Sequence, residues 1–552
     1  MPCPQHAFFL NANGRALSAT CFLPETVRGA VLLVPPFVEE RKGALPVFVQ
    51  AARALGDQNI ASLLFDFCGC GDSEGAFENT PPEFFEADCE AAWDWLAQTF
   101  PSAPRGLLGV RTGALLAARL AARRPDAAAL VLWAPVTGTD FMRQLLQRRM
   151  VNDMVAYGKA QESRGGLEAR LGRGETVDLD GYPVSGAFFA WLQKLEPQPS
   201  SVALCVSAGG HDAKTAAAFA KRAEDTTLGL RYPPFWNTVG HVDVAALIGE
   251  TASWLAKRLD GAPQAAPVRP PFATDVVSFG GLLALGPAAA IQAAYDLPAG
   301  SPRAGALFLH GWSGDRTGPH RLFTRFGRQL AERGYLCLRP DFSGRGLSGG
   351  AAEDASIARM AENAQTALEA LRQRLPPDAP VVVVAICSGC KVAITLASRN
   401  PGVDKLLLWS AESMGDLRSS ATGMRKALKM LATYARKLAR PETWKKILSG
   451  KVQTGLVTKA LVKQETRSAE EAAWENGVLE SFRAYRHPIR FVFGGSDPDA
   501  PGSCQAYARY CRRNGMPHAS HTIRHAGHSY YGEAWTRELF DVSHAFLDGN
   551  GA

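Results

Sequence analysis

Nowhere in this 552-residue sequence do apolar residues run unbroken for the roughly 18 positions that a membrane-crossing helix needs. The opening stretch MPCPQHAFFLNANGRA lacks a basic region followed by an apolar core, so no secretory leader is expected and the cytoplasm is the default compartment. Cysteine is sparse: the eleven present are scattered, mostly inside hydrophobic runs such as YLCLRPDF and VALCVSAG, unlike the dense disulfide framework of a small secreted domain. A strong excess of one charge is missing too. A net charge of +7 is too mild to argue for nucleic acid, and neither a zinc-like Cys/His cluster nor a GxxxxGK phosphate loop occurs. No metal, cofactor or nucleic-acid partner is therefore expected.

What is present is a duplication. The chain is too long for one core of roughly 100 to 250 residues, and its halves superpose in sequence. GAVLLVPPF (29 to 37) aligns with ALFLHGW (306 to 312), LLFDFCGCGDSEG with CLRPDFSGRGLSGG, and LVLWAP with LLLWSA. An offset of 275 separates Val34 from Leu309 and Asp66 from Asp341, and 276 separates Trp133 from Trp409. Between the copies, GAPQAAPVRPPF (261 to 272) is rich in proline and alanine and reads as a semi-rigid linker. Short apolar runs alternate with Ala/Leu/Arg-rich helical segments in each half. This predicts an α/β fold, a mostly parallel, doubly wound sheet per half, with ligands beyond the carboxyl ends of the strands.

One such strand end carries VVVVAICSGC (381 to 390). A sharp strand-to-helix elbow displays its central residue and needs small residues two positions before and after it. Centred on Cys387 the flanks are Ala385 and Gly389; centred on Ser388 they would be Ile386 and Cys390, so Cys387 is the displayed group. In the first half Gly109 and Gly113 flank Arg111, which lies 276 residues before Cys387. An acid and a histidine should follow in that order. FGGSDPDA supplies Asp497, ahead of Asp499, and RHAGHSYYG supplies His528 rather than His525, whose first-half counterpart is Thr238. Asp212 and His241 are the matching first-half positions, 285 and 287 residues earlier.

The oxyanion of an acyl-transfer intermediate would take the Ser388 backbone N–H and a second from Trp312 in LHGWSGDR, with His310 shaping that loop. In the first half the equivalent loop, VPPFVEER, has Pro35 and Pro36 without donors and Glu39 and Glu40 to repel an anion. Arg111 then either binds a carboxylate or phosphate in a former site or pairs internally with Asp212.

These motifs together resemble the α/β-hydrolase superfamily over nearly all of both halves. The first half, with PPFVEE, FDFCGCGDSEG and GVRTG, resembles the exosortase A system-associated hydrolase type 2 family. The second, with ICSG, KLARPETWKKILSGKV and HAGHSYYGEAW, resembles type 1, although Ala385 stands where type 1 relatives typically have glycine. The resemblance implies tandem α/β-hydrolase domains, 1–260 degenerate and 273–552 catalytic. It also implies a link to bacterial exopolysaccharide and protein-sorting systems.

Each half inserts a cap between elbow and acid, about 140–197 and 412–486. The second holds a basic stretch, 425–463, with Glu442 its single acid; Met424, Leu428, Leu431, Tyr434 and Leu438 recur at helical spacing. Such a helix is either a solvated face or an attractor for an anionic or carrier-bound acyl substrate or for lipid headgroups at the inner membrane face. The expected activity is ester or thioester hydrolysis by Cys387, His528 and Asp497. Three rivals remain: acyl transfer on the same triad, a redox pair of Cys387 with Cys390, and a non-catalytic scaffold.

Overall fold

The computed structural model describes residues 3–198, 203–207, 219, 227–229, 232–238, 240, 242–287, 290–417 and 469–549. Two large sheets organise them. In spatial order the first holds Gln5–Ala12, Arg15–Phe22, Ile60–Phe65, Gly29–Val34, Arg105–Val110, Ala127–Trp133, Ala203–Ser207 and Thr227–Gly229. The second holds Val276–Val277, Gly280–Leu285, Ile291–Asp296, Tyr335–Pro340, Ala304–Leu309, Val381–Ile386, Lys405–Trp409, Ile489–Gly494 and His518–Ile523. In both, antiparallel strands lead into a parallel remainder.

The strand sequences explain the burial. Every residue of Gly29–Val34 and of Val381–Ile386 is buried, as continuous apolar runs must be when helices cover both faces. In the first half, helices Glu39–Gly56 and Ala245–Arg258 pack one face, and Glu83–Thr99 and Thr112–Arg123 the other. In the second half, Leu322–Glu332 and Glu533–Leu547 take one face, and Ile357–Arg372 and Gly389–Arg399 the other. The antiparallel start of the first sheet turns at Asn13-Gly14, both with positive φ, the conformation a two-residue hairpin demands.

Helices Gly138–Tyr157, Arg164–Gly172 and Gly186–Lys194, with a small hairpin between the last two, form the insertion expected in the first half. The basic segment 425–463 of the second insertion lies outside the described residues. The segment expected to be a linker is tied down: Gln264–Ala265 pairs with Thr26–Val27, and the Trp95 indole N–H donates to Pro271 O. Among the described residues no helix is long and apolar enough to cross a membrane.

The halves meet through repeated contacts. Arg41 holds Asp66 of its own half at 2.6 Å and reaches Asp315 of the other at 3.2 Å. Its counterpart 275 residues on, Arg316, holds Asp341 at 3.0 Å and reaches Asp72 at 2.7 Å. Arg53 donates to Ser348 O, and its counterpart Arg328 donates to Ser73 O. The Arg53 and Arg328 bonds are reciprocal, as at a two-fold interface, here between two copies on one chain, whereas Asp315 and Asp72 are not counterparts of each other. Arg321 adds hydrogen bonds to the carbonyls of Gly69, Gly71, Ser73 and Gly75, seating the first half's FDFCGCGDSEG loop on the second half.

Candidate active site

Strand Val381–Ile386 ends beside Leu309, which pairs with Ala385, and the chain then turns sharply into helix Gly389–Arg399. Cys387 sits on that turn with φ 60°, a conformation costing a non-glycine residue about 1–3 kcal/mol, whereas Ser388 has an ordinary φ of −63°. The displayed side chain is thus the thiol. Gly389 is required: a Cβ there would lie 2.3 Å from Leu309 O. Arg111 repeats the strain with φ 56°, and Cys387 and Arg111 each donate a backbone N–H to the matching tryptophan carbonyl, Trp409 and Trp133.

Three elements bring the remaining groups to Cys387. Asp497 follows strand Ile489–Gly494, and His528 lies in the loop after His518–Ile523. His528 Nδ1 lies 2.7 Å from Asp497 Oδ2, and a ring nitrogen of the same imidazole lies within 4.8 Å of the Cys387 sulfur. Burial opposes a charged ring, but Asp497 and Cys387 outweigh it and push the His528 pKa up to about 10. The loop is anchored by Ser410, whose Oγ donates to His528 O, and by Tyr530, whose hydroxyl donates to Val492 O. The neighbouring candidates are used otherwise. Asp499 donates its N–H to Asp497 Oδ1, and His525 meets Ala156 O and the Tyr157 ring of the first half. His310 is buried, which pushes its pKa down to about 4; it binds Gly311 O and accepts the Phe342 N–H.

Two residues went unnoticed in the sequence. Glu412 follows strand Lys405–Trp409 and receives the Cys387 thiol at 3.2 Å. Its other oxygen lies 3.6 Å from the ammonium of buried Lys391, which also meets Glu475 at 3.4 Å. The available signal was divergence between the copies, since Val136 and Leu115 occupy the corresponding first-half positions.

The expected oxyanion residues are adjacent, with a difference. The Trp312 N–H donates to the Ser388 hydroxyl at 2.7 Å and so is not open toward the thiol. The first half makes the same bond, Phe37 N–H to Thr112 Oγ1 at 3.1 Å, which marks it as a clamp between loop and elbow common to both copies.

In the first half, Asp212 and His241 lie outside the described residues. Arg111 is fully buried and pairs with Glu40, 3.3 Å from Nε, while its guanidinium stacks on Trp236 at 4.7 Å and donates to Gln144. Glu40 of the VPPFVEER segment is thus one carboxylate partner of Arg111 among the described residues. Glu39 of that loop turns to the other half, accepting from the Tyr531 hydroxyl at 2.7 Å and the His320 N–H at 3.1 Å. A cavity of about 930 Å³ opens between the halves, lined by Lys42, Arg148 and Trp236 on one side and Trp312, Arg345 and Tyr531 on the other.

Comparison with known families accounts for both sheets. Residues 306–542 match the family model described as alpha/beta hydrolase family, and residues 26–160 that described as serine aminopeptidase, S33. Both regions have the α/β-hydrolase fold. An uncharacterized protein of Rickettsia prowazekii is 36% identical to this chain over 115 residues, 21% of this chain, which spans only 46% of that relative's length. Among solved structures, Est1E of Butyrivibrio proteoclasticus with bound ferulic acid is 16% identical, covering 47% of this chain and 95% of its own, TM-score 0.32. Mouse alpha/beta hydrolase domain-containing protein 10 is 15% identical over 49% of this chain and 100% of its own, TM-score 0.33.

Proposed function

We propose that the second half is a thiol acyl hydrolase for esters or thioesters and that the first half is a catalytically silent copy. The observation that carries this reading is the convergence of the strained Cys387 thiol, the His528 ring within 4.8 Å of it, and Asp497 at 2.7 Å from that ring.

The Cys387 sulfur, as thiolate, attacks the carbonyl carbon, forming a C–S bond while the π pair moves to oxygen. The His528 imidazolium then protonates the departing alkoxide or thiolate as the tetrahedral adduct collapses to an acyl-enzyme. Neutral His528 takes a proton from water, whose oxygen attacks the acyl carbon and returns the sulfur to the enzyme. Asp497 holds the ring in orientation throughout. The Ser388 N–H meets the developing oxyanion, joined by Trp312 N–H once the Ser388 hydroxyl rotates off it; losing one such donor costs roughly 10² to 10³ in turnover.

Burial favours this over a redox pair. Cys390 is fully buried with Sγ against Trp409 O, and desolvation pushes its thiol pKa well up. The silent first copy follows from a paired, buried arginine at its elbow. The cavity shared with the first half borders Trp312 and carries Lys42, Arg53, Arg148 and Arg345 beside the acids Glu39, Asp180 and Glu353, a slight cationic excess that supports an acyl substrate with an anionic or carrier-borne portion. The basic segment 425–463 adds to that preference, and the working place is the cytoplasm, reaching the inner membrane face through this segment. The resemblance of the motifs supports a setting beside exopolysaccharide and protein-sorting systems.

Incubation with an electrophilic acyl probe tests the reading: wild type is labelled at Cys387, Cys387→Ser is not, and His528→Ala is labelled far more slowly. Equal labelling of wild type and His528→Ala would remove the triad from the account.

A further inference from the structure

Glu412 gives the site a second capacity. The Cys387 sulfur, a Glu412 carboxylate oxygen and a His528 ring nitrogen all lie within 4.8 Å of one another, and all three residues are partly exposed. The sulfur and the carboxylate oxygen are already at 3.2 Å. A tetrahedral ion bonded to sulfur at about 2.3 Å and to nitrogen and oxygen at about 2.0–2.2 Å spaces its donors roughly 3.3–3.6 Å apart. The sulfur–oxygen separation is already near that spacing, and the ring nitrogen lies within 4.8 Å of both.

The surroundings fit as well. A metal-binding histidine usually has its other ring nitrogen on a carboxylate, fixing tautomer and orientation. Asp497 does this for His528 at 2.7 Å. Glu412 is held at its backbone, where Tyr507 donates to its carbonyl at 2.7 Å, and at its second oxygen, which faces Lys391. Thiolate, imidazole and carboxylate together are a donor set for Zn²⁺ and its close neighbours, and oxygen-preferring Mg²⁺ or Ca²⁺ would be poorly served.

We propose that Cys387, Glu412 and His528 form a three-ligand site for a divalent transition ion of the Zn²⁺ type, and that its occupation switches the hydrolase off reversibly. The switching rests on the acyl-hydrolase reading; the binding does not. On binding, the ion forms bonds to Sγ, the ring nitrogen and the carboxylate oxygen. The single proton shared between the thiol and the imidazole passes to water, and no electrons change hands. The ion takes nucleophile and base together, so acylation and deacylation both stop.

The test uses the full chain, stripped with a chelator and titrated anaerobically with Co²⁺. The expected result is one equivalent bound, with visible bands of tetrahedral intensity and a near-ultraviolet thiolate-to-cobalt charge-transfer band, all displaced by Zn²⁺. Cys387→Ser loses the charge-transfer band. Glu412→Gln weakens binding by about tenfold or more, and Asp497→Asn by about 10- to 100-fold through the ring it orients. A cobalt spectrum without the thiolate band, or equal affinity in wild type and Glu412→Gln, overturns the site. If Co²⁺ binds with the thiolate band while probe labelling of Cys387 is undiminished, the switch is overturned and the site stands. Failure of the metal-free protein to hydrolyse any acyl substrate counts against the hydrolase reading alone.

Discussion

His528 has a pKa of about 10 because Asp497 and Cys387 outweigh the cost of burying its charge. The folded value lies above the ordinary 6.5, so the charged ring contributes stability that is full below about pH 6.5 and is lost as pH rises through 10. In the proposed mechanism the same imidazolium is the acid for the leaving group. In chelator-treated protein, kcat/KM should hold from pH 7 to 9 and fall with a midpoint near 10, and Asp497→Asn should draw that midpoint toward 6.5. A wild-type alkaline limb below pH 8 would contradict the pairing. At this scale the sequence was legible where spacing carries information: the small flanks at 385 and 389 select Cys387 over Ser388, and repeat register selects His528 over His525. Glu412 and Lys391 were not, because their roles arise when separate strand ends converge and no local spacing records that. For the same reason a search for closely spaced Cys and His finds no metal site here: Cys387 and Glu412 are 25 positions apart, and His528 lies far beyond both.

The elbow is the element on which the chemistry stands, and its tightness can be measured. Ala385 is tolerated two residues before the thiol, but a methyl on Gly389 would meet Leu309 O at 2.3 Å and His310 O at 2.6 Å, backbone atoms of the adjoining strand end. Gly389→Ala should therefore cost about 1–3 kcal/mol in denaturant unfolding and abolish acyl-probe labelling. Gly113→Ala, where the contact is Val34 O at 2.2 Å, should cost a similar amount and leave Cys387 labelling intact. Comparable loss of labelling in both would mean that the two elbows are not independent. The central parallel strands were readable because they are short, mainly apolar runs such as Gly29–Val34 and Val381–Ile386, whereas the edge strand His518–Ile523, HASHTI, carries no such signal. The loop VPPFVEER was only half read. The use of Glu39 as a pin is invisible locally, since Tyr182 and Tyr531, which donate to it, lie 143 and 492 positions away.

At the scale of the whole molecule, the duplication explains more than ancestry. The two copies face each other through equivalent arginines, Arg41 with Arg316 and Arg53 with Arg328, so the first half is an interface partner that also walls the cavity beside Trp312. The symmetry is broken at Asp72, whose counterpart is Leu347. Asp72 is buried between the halves and accepts from Arg316 at 2.7 Å and Arg339 at 2.6 Å. Burial works against its charge, but Arg339 and Arg316 outweigh burial and hold its carboxyl far below the ordinary range. A depressed pKa contributes stability that is present above the unfolded value near 3.9 and lost as pH falls below it. Removing one member of a buried ion pair leaves uncompensated charge and typically costs 3–5 kcal/mol. Because Arg316 keeps Asp341 and Arg339 keeps Asp296, Asp72→Asn should fall near the lower end, about 3 kcal/mol in denaturant unfolding. Its destabilisation relative to wild type should shrink as pH drops from 6 toward 3, where wild type starts to lose the same contribution. An effect below about 1 kcal/mol at neutral pH, the range of a surface pair, would mean that the halves are held by their apolar contacts and backbone bonds instead.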